Sequence, residues 1–67
     1  ESSTHIYSDY DKTSLFVKIA EAFLEDDQTG EAETYVNRAS SLINSISEWA
    51  LVLRYKVINR WIAIHSM

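Results

Sequence analysis

The densest group of charged side chains, Glu25-Asp26-Asp27-Gln28-Thr29-Gly30, has the residue types of a calcium loop: oxygen donors, then a glycine at the sixth place. Such a loop closes on a bidentate glutamate at its twelfth place, and that place holds Val36. The segment therefore reads as a solvated acidic turn, with electrostatic docking of a partner as its second reading. His5 and His65 lie at opposite ends of the chain and do not form a paired metal site. His5 reads as a tail residue, and His65 as a helix-end residue that suits the helix dipole. Serines are numerous, yet none stands in a nucleophile motif with a histidine and a carboxylate. No catalytic residue, metal or cofactor is expected.

Two other groups are suited to recognition. Asn37-Arg38 can make a polar contact between repeats, although such an arginine more often faces solvent with its stem packed. Trp49 and Trp61 can fill a core or anchor a partner. Core packing is the reading for Trp49, while for Trp61 both readings stand.

The elements that must position these groups are helical. Leu15, Phe16, Ile19, Ala20, Phe23 and Leu24 form the apolar face of a first helix, started near Asp11 or Thr13. Ala32, Tyr35, Val36, Ala39, Leu42 and Ile43 form that of a second, capped by Asp27 or Thr29, with Glu31 and Glu33 near its positive end. The third helix, with Ser47 as a suitable cap, is apolar beyond what one face requires. Leu51, Tyr55, Ile58 and Ile62 make one stripe; Ala50, Leu53, Val57, Trp61 and Ile64 make another. A strand competes over Leu53–Val57, where apolar and polar residues alternate. No glycine or proline interrupts Glu48 to His65, which favours the helix. The expected architecture is all-α: helices near 12–26, 30–44 and 47–65, after a flexible lead-in over 1–10 from which Ile6 or Tyr7 can dock. Residues 11–67 then form one helical-repeat segment, with Ala20, Ala32 and Ala39 at the contact between the first two helices.

Composition sets further bounds. A chain of 67 residues without cysteine has no disulfide or thiolate staple, which fits a reducing compartment, and small folds usually lean on such a staple or on a partner. The net charge of −4 is uneven: Glu1 to Thr34 carries −7, and Tyr35 to Met67 carries +3. An acidic front half argues against nucleic acid as the main ligand. The chain starts at Glu1 without a basic and apolar leader, so no signal peptide is expected. Arg54, Lys56 and Arg60 interrupt the longest apolar run, so a membrane span is not expected either.

Phe16, Ile19, Ala20 and Phe23 match the large, large, small and aromatic positions of the first helix of a tetratricopeptide unit. Ala32, Val36 and Ala39 match the small, bulky and small positions of its second. Longer words sharpen this. Lys18-Ile19-Ala20-Glu21, Phe23-Leu24-Glu25-Asp26-Asp27 and Ala32-Glu33-Thr34-Tyr35-Val36-Asn37-Arg38-Ala39-Ser40 resemble the PCI family of scaffold subunits in its signalosome branch. Tyr55-Lys56-Val57 continues the resemblance, which covers about 11–57; residues 59–67 depart from the family pattern. The resemblance implies a right-handed stack of helical pairs ahead of a winged-helix domain, in the cytoplasm and nucleus. It also implies a non-enzymatic role in a complex that removes the ubiquitin-like modifier Nedd from cullins, whose zinc metalloprotease centre sits in another subunit. Other signalosome subunits or cullin-ligase proteins are the implied partners.

The candidate partner-binding residues are Trp61, Tyr55, Ile58 and Ile62 on the third helix. One stripe of that helix can pack on the first two helices, which leaves Trp61 and much of the other stripe to a partner or to a second copy of the chain. A proteasome-lid type of scaffold is the nearest alternative. A self-associating or membrane-surface helical peptide is the alternative of a different class.

Overall fold

The computed structural model describes residues 7–65. They form α1 (Asp9–Glu25), α2 (Thr29–Ser40), a single 3-10 turn (Ile43–Ser45) and α3 (Trp49–His65). Among the described residues there is no strand, so the helical reading of Leu53–Val57 holds. The docking expected of Ile6 lies outside the described residues, and Tyr7 is exposed.

Helix α1 starts earlier than Asp11. The Ser8 hydroxyl accepts a hydrogen bond from the Asp11 amide at 3.1 Å and so caps the helix, while Asp9 and Asp11 stand at its positive end. It ends in a Schellman motif: the Gln28 amide donates to the Phe23 carbonyl at 2.8 Å, and the Asp27 amide to the Leu24 carbonyl at 3.1 Å. That motif needs a left-handed residue, and Asp27 supplies it at φ 58°. Aspartate tolerates this conformation better than most residues. The expected cap of α2 is corrected here. Asp27 is committed to closing α1, and Thr29 is already inside α2. The capping position falls to Gln28, whose side chain makes no capping bond. Gly30 lies in the first turn of α2 rather than in the connection.

Helix α2 also stops short of Asn44. The Ser40 hydroxyl donates to the Asn37 carbonyl at 2.7 Å, and Ser41 to the Arg38 carbonyl at 2.8 Å. Local bonds of this kind compete with continuation of the helix. The chain then passes through the 3-10 turn and re-enters helix at α3, where the Glu48 carbonyl accepts from the Leu51 and Val52 amides. The backbone turn therefore closes on Glu48, one residue after the expected cap at Ser47.

The three-residue connection makes α1 and α2 an antiparallel pair. Ala20, Ala32 and Ala39 are all fully buried, as the close approach of two backbones requires, with Val17 and Val36 beside them. The buried arc of α1 differs from the expected one. Its centre is Thr13, Val17 and Ala20, while Leu15 faces solvent. The reason is that α1 is covered by two helices. Phe16 and Phe23 flank the arc toward α2, where they meet the Tyr35 ring at 6.2 and 5.9 Å between centroids. Glu21 and Leu24 flank it toward α3. The residues midway between those two contacts are the ones enclosed.

Thr13 carries a cost. Its hydroxyl is buried and has no hydrogen-bond partner. Replacing an unpaired buried hydroxyl by an apolar group of the same shape removes a desolvation penalty. Thr13→Val is expected to raise the unfolding free energy by about 1 kcal/mol, read as a higher midpoint in urea denaturation followed by circular dichroism.

Candidate interaction surface

Helix α3 rests on the pair through Leu51, Ile58 and Ile62, all buried, with Tyr55 packed against the same cluster. Its direction follows from two contacts. Arg54 meets Glu21, and one turn further Val57, Ile58 and Trp61 line a groove with Leu24 and Glu25. Numbers rise together along both helices, so α3 runs parallel to α1. It is displaced toward the C-terminal end of α1, which explains a molecule 43 Å long built from helices of 17 residues, each about 25 Å.

Arg54 sets the register of α3 on α1. Its guanidinium grips both carboxylate oxygens of Glu21, Nε to Oε2 at 3.2 Å and Nη2 to Oε1 at 2.5 Å. That hydrogen bond raises the Arg54 pKa above its ordinary value. The pair is partly exposed, so it contributes orientation more than stability. On the other side of α1, the Arg38 guanidinium lies 5.0 Å from the centre of the Tyr35 ring. This is a cation–π contact within α2.

The candidate residues thus part company. Ile58 and Ile62 are core residues holding α3 to the pair, and Tyr55 is half-buried beside them. Trp61 remains at the surface, 37% exposed, with its ring stacked on His65 at 3.8 Å between centroids. The companions of Trp61 at the surface are Leu53, Val57 and Ile64, at 51%, 58% and 58% exposure. These three belong to the second stripe, whose spacing was visible in the sequence. That stripe was expected to be the uncovered one, with Trp61 in it, and it is; Ile58 and Ile62, offered as partner-binding candidates, belong instead to the buried stripe. Trp49 was expected in the core and is 74% exposed. It sits at the very start of α3, ahead of Leu51, the first buried residue of that helix, and on a different face.

Between α1 and α3 the groove has a volume of about 420 Å³. Its lining is Glu21, Leu24, Glu25, Val57, Ile58 and Trp61, and of the two glutamates Glu21 is already paired with Arg54. Glu25 is followed by Asp26 and Asp27, and the last turn of α1 contains no basic residue. Three acids therefore stand at the negative end of a helix dipole, a placement that favours an incoming cation. Chemically the groove can bind an apolar side chain next to a positive charge. Among the described residues, no group of three His, Cys, Asp or Glu side chains is placed to hold a metal ion, and no helix is long and apolar enough to cross a membrane.

Comparison with known proteins agrees with the words noted in the sequence. The chain is 41% identical over 56 residues to COP9 signalosome complex subunit 4 of Dictyostelium discoideum, covering 84% of this chain. It is 37% identical over 57 residues to the subunit of the same name from Arabidopsis thaliana and 33% identical over 57 residues to that of Emericella nidulans, each covering 85% of this chain. In all three cases the chain spans 14% of the relative's length. No protein-family model and no solved structure matches it. Similarity at this level, along nearly the whole chain and in three distant organisms, shows that this segment belongs to the COP9 signalosome subunit 4 family.

Proposed function

We propose that the chain is a non-enzymatic scaffold segment that acts by protein–protein contact within a signalosome-type assembly in the cytoplasm and nucleus. Its helices then correspond to one tetratricopeptide-like pair, α1 and α2, and the first helix of the next unit, α3, in a PCI-type stack. The parallel course of α3 along α1 supports this reading, because successive units of a helical stack repeat direction. The observation that carries it is the uncovered apolar stripe Leu53, Val57, Trp61 and Ile64 on a helix already held in place by its opposite face. A contiguous apolar surface of that kind marks a protein contact. Other signalosome subunits or cullin-ligase proteins are the proposed partners. The direct test is affinity capture of the tagged chain from cell extract, with partners identified by mass spectrometry. Signalosome subunits should be enriched, and Val57→Lys should remove them. Recovery of proteasome-lid subunits instead would favour the other PCI scaffold, and recovery of neither would overturn the proposal.

A further inference from the structure

The outer face of α3 is interrupted by one charge. Ala50, Val57 and Ile64 follow one another at seven-residue steps, and so do Leu53 and Arg60. A straight helix drifts by only about 20° over seven residues, so these five residues form two neighbouring lines along it. Arg60 stands on the line of Leu53, at a height between Val57 and Ile64. All five are exposed. Arg54 is held by Glu21, whereas Arg60 has no ion-pair or hydrogen-bond partner among the described residues. A surface that covers Leu53, Val57 and Ile64 therefore also covers Arg60. An arginine remains charged, and taking its guanidinium out of water without an acceptor is costly. Helix α3 supplies no such acceptor, since no acidic residue lies between Trp49 and His65.

We infer that the partner of this stripe is a protein face that sets one carboxylate, from Asp or Glu, among apolar side chains opposite Arg60. The inference rests on the protein–protein reading above and names the chemistry of that partner. Guanidinium and carboxylate pair through two parallel hydrogen bonds, so the contact fixes register as well as identity. A single polar residue within an apolar helix seam has this effect in coiled coils. A second copy of the chain, meeting the first stripe to stripe, does not qualify, because it offers Arg60 to Arg60 and no acid. An anionic membrane is disfavoured too. Glu25 lines the groove beside Val57 and Trp61, so a negatively charged bilayer on the stripe would meet a carboxylate at its edge.

Binding of the chain to purified signalosome subunits, one at a time, tests this by fluorescence anisotropy, with Arg60→Leu and Arg60→Lys beside the unmodified chain. Leucine continues the apolar stripe, so the competing outcomes differ in sign. Opposite a carboxylate, Arg60→Leu should weaken the complex about tenfold or more, because it strands the partner's charge. Opposite a purely apolar face it would leave the affinity unchanged or raise it. That result would overturn the inference and leave the protein–protein reading standing. Arg60→Lys should keep much of the affinity, and a carbodiimide should then join position 60 to an aspartate or glutamate of the bound subunit, located by mass spectrometry. Absence of that cross-link in a bound complex would also overturn the inference. Far-ultraviolet circular dichroism, unchanged in both variants, separates a lost contact from a lost fold. Binding to phosphatidylserine vesicles that Arg60→Leu abolishes would overturn the inference by giving Arg60 to a lipid phosphate. A chain that binds no signalosome subunit would overturn the protein–protein reading itself, and the inference with it.

Discussion

Ile58→Ala is expected to unfold much of the population at room temperature. Ile58 is buried on the face of α3 that meets α1, next to Leu24 at the floor of the groove. Removing its three outer carbons costs the lost burial and leaves a cavity, together about 2–5 kcal/mol. A domain of this size has only several kcal/mol of stability in total, and Leu51 and Ile62 are the other fully buried apolar residues that attach α3. Urea denaturation followed by circular dichroism should show the midpoint fall sharply. Trp49→Ala gives the contrast, since an indole that is mostly in water has little packing to lose. If Ile58→Ala left the midpoint where it was, α3 would not be packed on the pair through this residue.

Ala39→Leu is expected to cost about 1–3 kcal/mol by the opposite route. Ala39 is fully buried on α2 in the same cluster as Ala20 and Ala32, where the two backbones come close because each side chain is a single methyl group. A leucine has no space there, so the helices must separate or the side chain must leave its preferred rotamer. For a domain of 67 residues, each kcal/mol lowers the melting temperature by about 4–8 °C. Ala22→Leu, on the exposed face of α1, should leave it nearly unchanged. Equal melting temperatures for the two leucine variants would mean that the small-residue contact is misplaced.

These two substitutions divide what local pattern determines from what packing decides. The alanines were legible in the sequence. Small residues at helical spacing opposite large ones have few uses besides close helix contact, and a short acidic connection forces the two helices to be neighbours. The family words over residues 18–40 are legible for the same reason, because they coincide with that contact and its turn. Helix type for α3 was legible from the lack of any glycine or proline within it. The capping details were not, because Ser8, Asp11 and Thr13 are all competent to start a helix, and the choice fell to the residue from which the helical arc encloses Thr13, Val17 and Ala20.

The inward face of α3 was decided only by tertiary structure. Leu51, Tyr55, Ile58 and Ile62 form one apolar stripe, and Leu53, Val57, Trp61 and Ile64 form another of similar hydrophobicity, so periodicity ranks neither above the other. Packing across the fold resolves the choice: Leu51, Ile58 and Ile62 close on the core cluster of the pair, the second stripe is left to water or to a partner, and in that orientation Arg54 meets Glu21, thirty-three positions earlier in the chain. The same orientation takes Ile58 and Ile62 into the core, keeps Trp61 at the surface and leaves Trp49 outside it. A pattern within one helix specifies its apolar faces; which face is buried depends on the packing made across the fold.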